Sequence, residues 1–396
     1  MSQQAILSVN SGSSTIKFAL YPVQNKTLAP AILSGALEGL EPGGKICLRL
    51  NQQILSADSI DSKDEETRFA AALQWLQSQV SLHAGAFEVC AVAHRIVHGG
   101  GHFADSCIVT ADVLQTLRGY EHLAPLHQPH NLDGVAAFAA AYPGVPQITC
   151  FDTGFHATMP ETETRFALPL REHEQGVRRY GFHGLSYRFV SHRLITLSRR
   201  ASGRVLMAHL GNGASLCAMQ EGKSIATTMG FSALDGLMMG SRCGQLDPGV
   251  ILHWLDQGMD RKTIERVLYK ESGLLGVSGI SADMRTLRAS EDPRATAAIA
   301  QFTYRVRREA GGLITVMQGL DVLAFTGGIG EHDAELRADV VRGLGFLGLK
   351  LDVAANQSAT GDSAMPVHAP DSAVEIWVVP TDEGMIAAQD ALTLLL

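Results

Sequence analysis

The sequence predicts an α/β fold built as two domains, and three observations carry that expectation. The chain has 396 residues, more than one hydrophobic core ordinarily serves. Apolar, strand-like runs alternate with segments of helical periodicity. The chain also contains two look-alike hairpins, "AILSVNSGSSTIKFAL" and "RVLMAHLGNGASLCAM", each an apolar strand, an Asn/Gly/Ser turn and a second apolar strand. That resemblance between distant segments points to an internal duplication.

The elements follow in order. "AILSVN" and "TIKFALYPV" form the first hairpin. "AILSGALEGL" and "GKICLRLNQQILSA" read as further strands, separated by the turn residues "EPGG". "SKDEETRFAAALQWLQSQV" has helical spacing behind an acidic start. "FEVCAVAHRIVHGG" is a buried strand ending at three glycines, and "LDGVAAFAAAYPG" is a helix stopped by Pro143 and Gly144. "VPQITCFDTGFH" is a buried strand running into Asp152. The second hairpin opens the second cycle. Helices are expected near 247–258, 260–270 and 293–318, then a strand and glycine turn in "DVLAFTGGIGEHD". The stretch 354–373 reads as a surface loop. A strand and a terminal helix close the chain, with Asp382 as its N-cap.

Bulk properties exclude some functions. A net charge of -8 and a pI of about 6.0 argue against a nucleic-acid binder, which needs a basic face. No apolar run reaches membrane-spanning length, and the N-terminus lacks the basic-then-apolar pattern of a secretory signal. Six cysteines are dispersed without a CxxC pair, as expected of reduced thiols in a cytoplasmic protein.

Several motifs bear on chemistry. The first hairpin loop, Asn10 to Ser14, lacks the Walker A pattern. It reads equally as a solvated turn or as a small-residue anion cradle with Lys17 supplying charge. "HLGNGAS" and "FTGGIGEHD" are two more glycine turns after strands, and three such turns point to a nucleotide held by several loops. Arg95 and Arg242 lie in apolar surroundings, so each needs a carboxylate partner or grips an anionic ligand. Asp152 ends a buried strand, where ligands of open α/β sheets bind. His183, beside Gly184, reads either as a catalytic or as a structural histidine. His94, His98 and His102 fall at i, i+4 and i+8, but Gly99, Gly100 and Gly101 break the helix that a metal site on this spacing needs.

Together these stretches resemble the acetokinase family, the acetate kinases and their short-chain carboxylate kinase relatives. The resemblance is carried by "VNSGSSTIKFAL", "AHRIVHGGG", "LAPLHQPHN", "FDTGFHATMP", "RRYGFHGLSY", "HLGNGAS", "TMGFSALDGLMMGSRCG", "GISADMR", "FTGGIGEH" and "PTDEGMIA". It implies two duplicated actin-like ATPase (ribonuclease H-like) domains around a nucleotide cleft: 1–150 with 383–396, and 151–382. It further implies ATP and a short-chain carboxylate as substrates, Mg2+ (with Mn2+ as an alternative), and a homodimer.

By this resemblance, Asn10 and Glu383 help hold Mg2+, and Lys17 contacts ATP. Arg95 binds the substrate carboxylate, with Val97, Leu126 and Phe182 walling the acyl pocket. Asp152, His183 and Arg242 are the catalytic set. His209, Leu210, Gly211, Asn212 and Gly213 form a phosphate loop. Asp283, Met284 and Arg285, with Gly328, Ile329, Gly330, Glu331 and His332, take the adenosine side.

The physics fits the assignment. A carboxylate approaching a γ-phosphate brings two anions together, so the site needs concentrated positive charge. The family's proton-transfer role for Asp152 is less natural, because a short-chain acid is already ionised near pH 7. Orienting an arginine or a metal-bound water suits Asp152 better.

The sequence departs from the family pattern in places. Ala233 replaces a common proline of the acyl pocket, which widens it toward propionate. His332 replaces an asparagine and Met284 a phenylalanine, while Ala226 and Gln245 replace aspartates without a functional account. Acetate phosphorylation is therefore the main expectation, a propionate kinase the nearer alternative, and a non-catalytic actin-like nucleotide switch the remote one.

Overall fold

A computed structural model describes residues 3–12, 15–40, 47–50, 53–56, 65–125 and 127–396. The chain divides into two compact units, Met1–Gly154 with Asp382–Leu396, and Phe155–Thr381.

In the first unit, Gln3–Ser11 and Thr15–Gln24 pair antiparallel, with Asn10 opposite Lys17. Gly12 N–H closes the turn on Thr15 O at 2.9 Å; Ser13 and Ser14 lie outside the described residues. Leu33–Glu38, Cys47–Leu50 and Gln53–Ser56 continue the antiparallel meander. On the other side of Gln3–Ser11, the strands Phe87–Ile96 and Gln147–Phe151 add in parallel. Parallel strands are buried on both faces, which explains why "QITCF" is wholly apolar or shielded. Leu73, Leu76 and Val80 of the helix Glu65–Ala84 pack with Leu7, Val9, Phe18 and Leu37 in the core.

The second unit repeats this plan. Arg204–Leu210 pairs antiparallel with Ala214–Gln220, which pairs with Lys223–Thr227. Val322–Thr326 and Glu375–Val378 then add in parallel. A short antiparallel partner ends each sheet, Cys107–Ile108 in the first unit and Met365–Pro366 in the second. The duplication read from two hairpins thus extends to whole sheets. Val190 and Leu194 of the helix Gly184–Leu197 cover one face, against Met207, Cys217 and Val322.

Three differences from the sequence reading stand out. The stretch 354–373 is not simply a loop: Val353–Ser358 is helical, capped by Asp352 accepting from Ala355 N–H at 2.9 Å, and Met365–Pro366 joins the sheet. In the second unit Lys223–Thr227 is a third strand, paired antiparallel with Ala214–Gln220, where the sequence showed only a two-stranded hairpin. Helices Ala111–Arg118 and Gly184–Leu197 were not anticipated. The second starts from His183 rather than an ordinary cap, and its apolar positions are interspersed with Ser, Arg and His. No described helix is long and apolar enough to cross a membrane.

Candidate active site

In the first unit the parallel strands place the key side chains. Arg95 and Cys150 are register partners on neighbouring strands. Asp152 therefore emerges beside Arg95, and its N–H donates to Ile96 O at 3.0 Å. Arg95 Nε donates to Asp152 Oδ1 at 2.9 Å and Nη2 to Oδ2 at 2.5 Å. Glu383 Oε2 lies 3.3 Å from Arg95 Nε. Burial works against the Arg95 charge, but the Asp152 and Glu383 carboxylates overcome it and hold the guanidinium firmly protonated. Asp152 is 1 % exposed, so the Arg95 counter-charge is what makes its carboxylate tolerable there.

A cavity of about 170 Å³ in this unit is lined by Asn10, Lys17, Tyr21, Arg95, Asp382 and Glu383. Two of these escaped the sequence reading as site residues. Tyr21 O–H donates to Asp382 Oδ1 at 2.8 Å, and the same oxygen caps Met385 N–H at 2.9 Å. Asp382 is the expected N-cap, and it also fixes the turn that presents Glu383. Only the alternation of "KFALY" hinted that Lys17, Ala19 and Tyr21 share one face of a strand. Val97 is buried, and its N–H donates to Asn131 Oδ1 at 3.0 Å. Leu126 lies outside the described residues.

In the second unit His183 adopts a left-handed backbone, φ 60° and ψ 23°, at the start of Gly184–Leu197. A non-glycine residue held there stores strain, which functional sites often retain. Its ring stacks on His209, centroids 4.2 Å apart, and its Nδ1 lies 2.8 Å from Ser215 Oγ. A Cβ added to Gly213 would stand 3.1 Å from His183 Nε2 and 3.7 Å from Arg242 Nη2. His183 and Arg242 therefore face one spot over a glycine. Arg242 Nη1 donates to Ala233 O at 2.9 Å. Phe182 is buried, and its carbonyl accepts from His156 Nε2 at 2.9 Å.

A larger cavity of about 1080 Å³ in this unit has the size of a nucleotide site. Gly211, Asn212, Asp283, Met284, Arg285, Gly328, Ile329 and His332 line it, as does Arg288, which the sequence reading passed over. Gly330 and Glu331 do not line it. Glu331 Oε1 instead accepts from Gly327 N–H at 2.8 Å and Thr381 N–H at 3.2 Å, pinning the glycine turn. Leu210 is fully buried and supports the same turn from below: a Cβ on Gly327 would meet Leu210 O at 2.8 Å. His209 holds Ser186 Oγ through Nδ1 at 2.8 Å and stacks on His183 rather than facing this cavity. Ala226 is buried in Lys223–Thr227, and nothing in the structure explains its replacement of an aspartate or that of Gln245.

The family model described as "Acetokinase family" matches residues 5–389. The chain belongs to the acetokinase family. An acetate kinase of Rhodopseudomonas palustris is 48% identical, the match covering 97% of this chain and 96% of that protein. An acetate kinase of Methylocella silvestris is 42% identical, covering 99% and 98%. Among solved acetokinase structures, Porphyromonas gingivalis acetate kinase superposes with a TM-score of 0.87 at 35% identity, covering 99% of this chain and all of that one. A propionate kinase from Francisella tularensis gives 0.87 at 33% identity, covering 98% of each chain. With its repeated sheets, the chain has the duplicated actin-like ATPase fold of these acetokinases.

Proposed function

We propose that this chain transfers the γ-phosphoryl group of ATP in line to acetate, giving acetyl phosphate and ADP, reversibly. The observation that carries this reading is the half-buried Arg95 guanidinium, fixed by Asp152 at the ends of two parallel strands. A fixed planar fork matches a carboxylate and does not have to reorganise when the anion arrives. Full-length likeness to proteins named acetate kinase supports the same substrate.

In this reading Arg95 orients acetate, with Val97 and Phe182 as apolar walls, and Asp152 keeps Arg95 in place. Lys17 neutralises terminal phosphate charge. His183 and Arg242 stabilise the oxygens of the phosphoryl group in flight. The turn Gly211–Gly213, which His209 and Leu210 support, and the residues around the larger cavity hold ADP. Asn10 and Glu383 supply hard oxygen donors in one cavity. No cluster of three or more His, Cys, Asp or Glu that could hold a metal occurs among the described residues. That donor set fits Mg2+, which takes one or two protein oxygens and fills its shell with water and phosphate. When bound, Mg2+ neutralises charge on the phosphates.

Propionate is the second reading, supported by Ala233 and by the propionate kinase neighbour. The test is a hydroxamate assay for acyl phosphate with ATP, Mg2+ and formate, acetate, propionate or butyrate. Highest kcat/KM on acetate supports the main reading, and a peak at propionate supports the second. No acyl phosphate despite tight ATP binding would leave only a nucleotide switch.

A homodimer is proposed too. The helix Pro248–Asp256 carries Val250, Ile251, Leu252, Trp254 and Leu255 yet buries none of its residues, a face that association would cover. Light scattering across a concentration series tests it. No disulfide joins any of the six cysteines, which fits a reducing, cytoplasmic location.

A further inference from the structure

We infer that Tyr187 and Ser215 are positioning residues that hold His183 in its neutral form with the ring proton on Nε2. The inference rests on the reading that His183 serves the transferred phosphoryl group, and it adds how that ring is prepared.

Tyr187 lies one helical turn beyond His183, and both Tyr187 and Ser215 are fully buried. Ser215 sits opposite His209 in the Arg204–Leu210/Ala214–Gln220 hairpin. Its Oγ is 2.5 Å from Tyr187 Oη and 2.8 Å from His183 Nδ1. These contacts leave one consistent direction for the protons. The buried phenol has a single O–H, and Ser215 Oγ is its acceptor. Ser215 Oγ, having accepted that proton, turns its own O–H to His183 Nδ1. Nδ1 is then an acceptor, and the neutral ring carries its proton on Nε2. The reverse direction would leave the Tyr187 O–H buried without an acceptor.

The charged surroundings agree. His209 stacks on the ring from its strand, and Arg242 approaches from the loop after the meander, 3.7 Å from the point over Gly213 that lies 3.1 Å from Nε2. A second positive charge on His183 would face that guanidinium. The arrangement divides the work: Arg242 brings charge, and His183 brings an aimed N–H without adding charge.

The test is nitrogen NMR of the full chain labelled at histidine, with His183 assigned by its loss in His183→Gln. The expected spectrum across the active pH range has Nδ1 unprotonated and Nε2 protonated. Ser215→Ala should mix the two tautomers and lower kcat by about tenfold, with KM for ATP and acetate little changed. Ser215→Thr should restore both. A wild-type proton on Nδ1, an imidazolium throughout, or an unaltered tautomer in Ser215→Ala would each overturn the relay. A tautomer shift with unchanged kcat would support the relay and instead remove His183 from phosphoryl transfer.

Discussion

Asp152 holds Arg95 by both oxygens, Oδ1 2.9 Å from Nε and Oδ2 2.5 Å from Nη2, from the end of the neighbouring strand. A carboxylate so engaged is placed to orient a guanidinium rather than to move a proton. Asp152→Asn removes the charge and turns an amide N–H toward Arg95. The expected outcome is a fall of about tenfold or more in kcat/KM for acetate, expressed mainly in KM. If kcat fell alone, with acetate KM and Mg2+ dependence untouched, the proton-transfer role would return.

Arg242 and His183 face the same spot over Gly213. Arg242→Ala should leave ATP binding by calorimetry within a few fold while kcat drops about 10²–10³-fold. Comparable losses in both would show that Arg242 holds the ground state rather than the transition state.

Ala233 gives its carbonyl to Arg242 Nη1 at 2.9 Å, a contact that Ala233→Pro keeps. The added ring should narrow the acyl pocket and lower the propionate-to-acetate ratio of kcat/KM about tenfold, since a methylene in such a pocket is worth roughly 1–3 kcal/mol. An unchanged ratio would show that Ala233 does not line the pocket.

What the sequence disclosed and what it withheld follow from range. The strands Phe87–Ile96 and Gln147–Phe151 are mostly apolar, legible because parallel strands are buried on both faces. Arg95 was conspicuous because a charge in such a run needs a partner. That the partner is Asp152, 57 positions on, depends on the register Arg95↔Cys150, which no local pattern encodes. Tyr21 and Asp382 meet across 361 positions for the same reason. The run Gly328–His332 was legible as a glycine turn after a strand, but not which of its residues face the cavity. The helical turn sends Glu331 back onto Gly327 N–H and leaves Gly328, Ile329 and His332 on the cavity.

The Tyr21–Asp382 contact carries its own expectation. Tyr21→Phe frees the residue that presents Glu383, so the Mg2+ concentration for half-maximal rate should rise several-fold while kcat at saturating Mg2+ is nearly kept. Mn2+ binding to the ADP complex, followed by spin resonance, should weaken in parallel. Unchanged metal affinity in Tyr21→Phe, with weakened affinity in Glu383→Gln, would confine Tyr21 to packing.

Buried histidines set the acid limit of the fold. Burial lowers His94 and His156 to about 4, against the hydrogen bonds their rings donate to Gln147 Oε1 and Phe182 O. Burial, with the nearby His122, lowers His98 to about 3. Each binds a proton in the unfolded chain near pH 6.5 but not in the folded one, so folding stability is complete above that pH. It falls as the pH drops from about 6.5 toward 4, by about 1.4 kcal/mol per unit for each histidine. His156 donates from Nε2 to Phe182 O, and its Nδ1 lies 2.8 Å from Ser224 Oγ. His156→Gln can satisfy both partners without titrating. Urea midpoints measured between pH 7 and 4.5 should therefore fall less steeply in this variant, by about one proton's worth of slope. An identical slope would mean that His156 stays neutral in the unfolded chain or charged in the folded one, contrary to its burial.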